Sequence, residues 1–155
     1  MVRSRVGVSE YATSVVRLFP DYAESVIWFR GPVPYEDTRL DPRLIADLRA
    51  WDASYYAGLT ADLAWRAAGV EAAFHAEGAR LARRLADQIG DDFQVEHDLG
   101  ESHRRVRGAG PPRNPDAAAA FAELARVARA EWDGRRAVVE RARRDGETLE
   151  WRAEP

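Results

Sequence analysis

The chain has 155 residues, a formal net charge of −3 and no cysteine, and all 23 of its basic residues are arginine. These counts exclude disulfides, thiolate catalysis, cysteine-based metal sites and chemistry that depends on a lysine amine. The length predicts a single domain over residues 1–155, and the acidic balance argues against nucleic acid as a partner. The start lacks an apolar run of signal-peptide length, and no stretch is long enough to span a membrane, so we expect a cytoplasmic protein.

Two short apolar runs predict the first strands. Residues 13–19 and 25–29 are rich in branched and aromatic side chains, a composition typical of strands covered on both faces. Pro20 and Asp21 end the first run, so the two strands can pair as a hairpin. Residues 31–34, Gly-Pro-Val-Pro, then predict a loop.

Two helices follow. Asp41 and Pro42 are a favourable N-cap and first helical residue, and Gly58 is a favourable end. Between them the apolar residues recur at steps of four, three and four: Leu44, Leu48, Trp51 and Tyr55. The next helix is predicted over residues 70–89, with Gly78 in its apolar stripe and Gly90 after its end.

The second half of the chain has a predicted strand and a predicted long helix, separated by a segment without hydrophobic periodicity. Residues 93–99 alternate apolar and polar side chains, which predicts a half-buried strand. Residues 100–114 show no periodicity and predict a mobile loop or linker. Asn114 and Pro115 begin a helix that runs to about Arg144, and residues 148–152 predict a short last strand.

The predicted order is therefore β-β-α-α-β-α-β, an α+β fold in which helices cover a small sheet of about four strands. The last helix would be about 45 Å long, which exceeds what a compact domain of this size can cover. Its apolar stripe includes Phe121, Leu124, Ala128, Trp132 and Val139. We therefore expect a homodimer with Trp132 near its centre.

Catalytic chemistry, if present, is restricted to carboxylates and histidines. The candidates in the 91–103 region are Asp92, Glu96, His97 and His103, which would suit a carboxylate- or metal-dependent hydrolase. The alternative is that they are turn, strand and loop residues in contact with solvent. The histidines lack the spacing of a metal motif, so we predict no metal site and no cofactor.

Candidate binding residues are of two kinds. Tyr56 and Trp65 are aromatic residues with no obvious core position, and such side chains often anchor a protein partner. Arg104, Arg105 and Arg107 form a local positive run that extends to Arg113. That run is suited to nucleic acid or an acidic partner, although a solvated linker is the alternative.

The pattern of several segments resembles small actinobacterial α+β proteins with no established activity. The resemblance covers residues 13–99 and leaves the long C-terminal helix outside. It implies a fold and no catalytic residue. The residues that support it are Leu18-Phe19-Pro20-Asp21-Tyr22, Trp28, Leu44, Leu48, Trp51, Glu77-Gly78, Leu81-Ala82, Leu85, Gly90, Phe93 and Val95.

Taken together, the sequence favours a cytoplasmic protein-interaction module, such as an immunity or regulatory protein, over an enzyme. A small hydrolase using residues 91–103 is the first alternative. Binding of nucleic acid or an acidic partner through Arg104–Arg113 is the second.

Overall fold

The computed structural model describes residues 7–146, which form five strands and four helices after a single 3-10 turn at Glu10–Ala12. The strands are β1 Val15–Leu18, β2 Ile27–Phe29, β3 Gly31–Pro32, β4 Gln94–Asp98 and β5 His103–Arg107. The helices are α1 Tyr35–Thr38, α2 Pro42–Ala57, α3 Ala68–Ile89 and α4 Pro115–Arg144.

All five strands form one mixed sheet in the order β3-β2-β1-β4-β5. The central pair, β1 and β4, is parallel, and every other neighbouring pair is antiparallel. A parallel pair needs a long crossover, and here the chain between β1 and β4 includes α2 and α3. The predicted α+β class and the long C-terminal helix are confirmed.

The strands and the two long helices predicted in the first hundred residues are confirmed, whereas the loop predicted over residues 31–34 contains the short strand β3 and leads into α1, which was not predicted. β1 and β2 form an antiparallel hairpin in which Leu18 pairs with Ile27. The Asp41 carboxylate accepts a hydrogen bond of 2.7 Å from the backbone N–H of Arg43, which caps α2. α3 ends at Gly90, whose φ of +85° is readily adopted by glycine.

The two faces of the sheet differ. One face is apolar and packs beneath the helices, and it presents Val16, Leu18, Ile27, Phe29 and Val95. The other face is polar, and neighbouring strands align Trp28, Arg17, Glu96 and Arg105 in one row across it. Because successive side chains on a strand point to opposite faces, this division follows from the alternating pattern.

The long helix α4 also has two different halves. Its first half is anchored by Phe121, which is fully buried and contacts the rings of Phe29 and Phe93 at 5.9 and 6.1 Å. From residue 129 to 144 only Ala142 is buried, and Val138 is 62% exposed. The core therefore ends near Ala128, and the predicted apolar stripe continues beyond it through Trp132 and Val139.

The loop predicted over residues 100–114 contains a strand. β5 pairs with β4 along its whole length, from Gln94 opposite Arg107 to Asp98 opposite His103. It is an edge strand, and only Val106 is partly buried, so its side chains show no apolar alternation. Backbone hydrogen bonds and cross-strand charge pairs supply the order that the sequence pattern did not reveal.

Two further points concern the limits of the chain. The strand predicted over residues 148–152 lies outside the described residues. Within residues 7–146, no helix has the length and apolar character needed to cross a membrane.

Candidate functional site

The carboxyl ends of the parallel strands β1 and β4 open into a cavity of about 300 Å³. The end of α2, the start of α3 and the β4–β5 turn surround it. We call it the end cavity. It is lined by Leu18, Phe19, Pro20, Trp51, Tyr55, Trp65, Glu71, Phe74, His75, Asp98, Gly100 and Glu101.

Aromatic rings form one wall of the end cavity. Trp51 stacks on Phe74 with 4.6 Å between ring centroids, and its indole N–H donates a 2.9 Å hydrogen bond to the Phe74 carbonyl. Tyr55 meets the edge of Trp65 at 5.7 Å, and Trp65 lies 5.1 Å from Phe74. Each ring therefore fixes the next, and the wall is built before any ligand arrives.

The loop between α2 and α3 positions Trp65. Residues Leu59 and Trp65 form an isolated antiparallel bridge, and the Arg66 backbone N–H donates to the Gly58 carbonyl at 2.9 Å. At the tip, the Thr60 N–H donates to the Ala64 carbonyl at 2.7 Å. These bonds hold Trp65 over the end of α2 although it lies outside any helix.

Two tyrosines extend the aromatic wall to the surface. Tyr22 is 83% exposed, and its backbone N–H donates a 2.9 Å hydrogen bond to the hydroxyl oxygen of Tyr56. The two rings lie 5.5 Å apart, and Tyr56 itself is 37% exposed. We call Tyr22, Tyr55, Tyr56 and Trp65 the aromatic rim. A tyrosine this exposed is available to a partner at little conformational cost.

The same end of the molecule is acidic. Glu71, Asp98 and Glu101 line the cavity, and the His75 Nε2 atom lies 3.7 Å from Glu71 Oε1. Asp98 is paired with His103. The pKa of the Tyr55 hydroxyl is raised, chiefly by burial and further by Tyr56, Tyr22 and the Asp21 carboxylate. The end cavity therefore favours positive charge.

A second polar arrangement lies on the open face of the sheet. Arg105 donates to Glu96 at 2.8 Å and to Glu10 at 2.6 Å, and the Tyr11 hydroxyl donates to Glu96 at 3.3 Å. The bond from Arg105 lowers the pKa of Glu10. Arg17 lies beside this network with its guanidinium 4.7 Å from the Tyr11 ring. The charges balance one another, so this face is a structural network.

A family model describes much of this architecture. It is that of the Serratia CdiI immunity protein-like proteins, and it matches residues 14–98. The chain belongs to this family. No curated protein shows significant sequence similarity to the chain.

The matched segment of this immunity protein-like chain runs from the start of β1 to the end of β4. It nearly coincides with residues 13–99, over which the sequence resemblance was drawn. It contains every residue that lines the end cavity except Gly100 and Glu101. β5 and α4 lie outside it.

The four catalytic candidates do not share one site in this family member. Glu96 and His97 are neighbours on β4 and so point to opposite faces, Glu96 to Arg105 and His97 into the interior. Asp92 lies exposed in the turn before β4, and His103 is paired with Asp98. Among residues 7–146, no three acidic or histidine side chains lie close enough to hold a metal ion.

His97 has an unusual environment. It is 2% exposed, and its Nδ1 atom has no hydrogen-bond partner within the described residues. Burial lowers the pKa of His97, and the nearby charges of Arg104 and Arg83 lower it further, against the opposing effect of Asp98. His97 is therefore a core residue in which burial favours the neutral form.

The predicted binding residues differ in their exposure and in their contacts. Tyr56 is on the aromatic rim as expected, whereas Trp65 is half-buried and forms part of the cavity wall. Arg105 is held by Glu10 and Glu96, and Arg107 donates to the Asp91 carbonyl at 2.5 Å. Arg104 is exposed on β5.

Sequence reasoning missed the most exposed residue of the site, Tyr22, and the part played by Tyr55 and Glu71. Tyr22 follows Pro20-Asp21 in a tight turn, where a large aromatic side chain has no core to enter. Its position directly after Pro20-Asp21 was the feature of the sequence that could have marked Tyr22 as an exposed aromatic residue. Tyr55 was placed on a core stripe, but it lies where the α2 stripe reaches the surface.

Proposed function

We propose that the protein is an immunity protein that binds a toxin protein through its aromatic rim and so blocks the toxin. Membership of the Serratia CdiI immunity protein-like family is the observation on which this rests. The family description names an immunity role, and such a role requires a protein partner.

The aromatic rim is the surface that supports the proposal best. Tyrosine and tryptophan are enriched at the centres of protein interfaces because they bury a large area with few rotatable bonds. Tyr22 and Tyr56 are exposed, close together and held by a shared hydrogen bond. Nearly all the residues that line the adjoining end cavity belong to the family-matched segment.

Growth protection tests the proposal directly. Where a toxin gene is found beside this gene, cells expressing that toxin should grow when the protein is co-produced and stop when it is absent. Purified toxin should bind the wild-type chain in calorimetry. Tyr22→Ala should weaken that binding by at least about tenfold, the loss typical of an interface anchor.

Val127→Ala is the matched control for a rim variant. Val127 is 37% exposed, as is Tyr56, but it lies on α4 outside the family-matched segment. Binding by Tyr56→Ser should fall while binding by Val127→Ala stays unchanged. If both variants bind the toxin equally well, the aromatic rim is not the binding surface. If the toxin does not bind the wild-type chain, the proposed immunity function is wrong.

A paired variant separates this proposal from the enzyme alternative. Glu96→Gln with His97→Gln removes both strand candidates, and Tyr56→Ser with Trp65→Leu removes two rim aromatics. Circular dichroism checks that each protein stays folded. If the first pair abolishes protection and the second does not, a hydrolytic function replaces the binding function.

The proposal extends to the oligomeric state and location. Trp132 is half-buried, and Val138 and Val139 are 62% and 36% exposed on the distal half of α4, so this half can form a homodimer contact. Sedimentation at tens of micromolar should show a dimer, and a strict monomer would contradict it.

Cell fractionation should place the protein in the cytoplasm, where we expect it to meet its toxin rather than nucleic acid.

A further inference from the structure

We propose that the end cavity receives an arginine side chain of the bound partner. This inference rests on the proposed function and adds the chemistry of the contact. It concerns the cavity itself, between the rings of Trp51, Tyr55, Trp65 and Phe74 and the carboxylates of Glu71, Asp98 and Glu101.

The walls present the surfaces that a guanidinium prefers. A cation is attracted to the faces of aromatic rings, and the planar guanidinium also stacks on them. Tyr55 and Trp65 meet edge to face at 80°, and Trp65 is tilted by 43° from Phe74. These rings pack against one another and form one wall of the cavity, on which a guanidinium can stack.

The charge at the mouth is complementary to a cation. The described residues that line the cavity include three carboxylates and one imidazole but no arginine. Glu71 has a side chain that is 41% exposed, so its carboxylate is accessible from the opening.

Arginine suits the site better than lysine for geometric reasons. Its guanidinium donates two parallel hydrogen bonds to one carboxylate while its face stacks on a ring. A lysine ammonium is a compact, strongly hydrated charge that would lose water among these rings. The cavity offers flat aromatic walls with carboxylates at the edge, which matches the planar group.

A titration with small probes tests the inference without the partner. N-acetyl-arginine amide is added to isotope-labelled protein, and the backbone amide shifts of residues around the cavity are followed by nuclear magnetic resonance. We expect saturable shifts with a dissociation constant in the millimolar range. The uncharged isostere N-acetyl-citrulline amide should bind at least about tenfold more weakly, and the lysine analogue should be weaker than arginine.

Variants locate the binding. Glu71→Gln should weaken arginine-amide binding by about tenfold, because it removes an accessible carboxylate of the cavity. Glu36→Gln removes an exposed carboxylate on α1, which does not line the cavity, and should leave the binding unchanged. Trp65→Leu should also weaken it, with circular dichroism confirming the fold.

Three outcomes would overturn the inference: citrulline binding as well as arginine, lysine binding better, or no saturable shift up to about 100 mM probe. The toxin assay keeps this failure apart from failure of the function. If Tyr22→Ala loses toxin binding while Glu71→Gln keeps it and the arginine amide does not bind, the immunity function stands and the arginine site is wrong.

Discussion

The family-matched segment and the segment that follows it use their charged and aromatic residues in opposite ways. Residues 14–98 have 9 arginines against 15 acidic residues, whereas residues 99–155 have 12 against 10. The first segment contributes all the aromatic rings of the end cavity and two of its three carboxylates. The second supplies an arginine-rich edge strand and a long helix.

Under the proposed function, the first segment holds the recognition surface and the second segment supports the fold. In the first segment, the crossover helices bring Trp51 and Phe74, and the loop between them brings Trp65, to the carboxyl ends of β1 and β4. In the second, β5 covers an edge of the sheet and the first half of α4 covers the core. We therefore expect substitutions in the second segment to change stability, and rim substitutions in the first to change binding.

The largest effect is expected where α4 enters the core. Phe121→Ala should lower the free energy of unfolding by about 3–5 kcal/mol, because it empties a fully buried aromatic site. Val138→Ala on the distal half should change it by less than about 0.5 kcal/mol, because the side chain is exposed. Urea denaturation measures the free energy of unfolding of both variants. Equal losses would show that the two halves of α4 contribute equally to stability.

Alanine in place of glycine should have opposite effects in the two segments. A Cβ at Gly78 would lie 2.7 Å from the Trp51 ring, which its stacking on Phe74 prevents from moving away. Gly78→Ala should therefore cost about 1–3 kcal/mol.

Gly134→Ala is the control on α4, where nothing lies within 4 Å of the added methyl group. Because glycine destabilises a helix interior, this variant should gain about 0.5–1 kcal/mol. Thermal unfolding compares the two, and a gain in both would mean that Trp51 can move.

His97 should make stability depend on pH. Its pKa is lowered in the folded protein from the usual value of 6.5, so the unfolded chain binds more protons as the pH falls through that value. The free energy of unfolding should therefore decrease below pH 6.5, with a slope of at most about 1.4 kcal/mol per pH unit for one proton. Well above pH 6.5, His97 is neutral in both the folded and the unfolded state, so its contribution to the free energy of unfolding no longer changes with pH.

His97→Gln should flatten this part of the stability profile, measured by urea denaturation at several pH values. His103→Gln is the control, since the His103 side chain is 67% exposed. A wild-type slope that survives in His97→Gln would assign the pH dependence to another group.

The smallest effect is expected at the edge strand. Arg105→Gln removes ion pairs to Glu10 and Glu96 that are partly exposed to solvent, so it should lower the stability only slightly at low salt. High salt should abolish the difference, because it screens surface charges. Arg104→Gln on the same strand is the comparison, and an equal loss from both would mean that the ion pairs contribute nothing.

The helices were the most predictable part of the fold. The caps at Asp41 and Asn114 and the end at Gly90 are local signals that depend on neighbouring residues in the chain. The strand at His103–Arg107 was missed because it lies at the edge of the sheet with most of its side chains exposed, so its sequence shows no apolar alternation. In the site, Tyr56 was found from its residue type, but Tyr22 was not.

The sequence by itself determined the element types, the apolar stripes and the chemistry that is absent from the chain, since these depend on residue types and local spacing. Only the tertiary structure decided which side chains meet. The parallel pairing of β1 with β4 brings Phe19 and Asp98 to the same cavity, and the crossover helices add Trp51, Phe74 and Glu71. Phe19 and Asp98 lie 79 positions apart in the chain, and no local pattern records a contact formed by long-range packing.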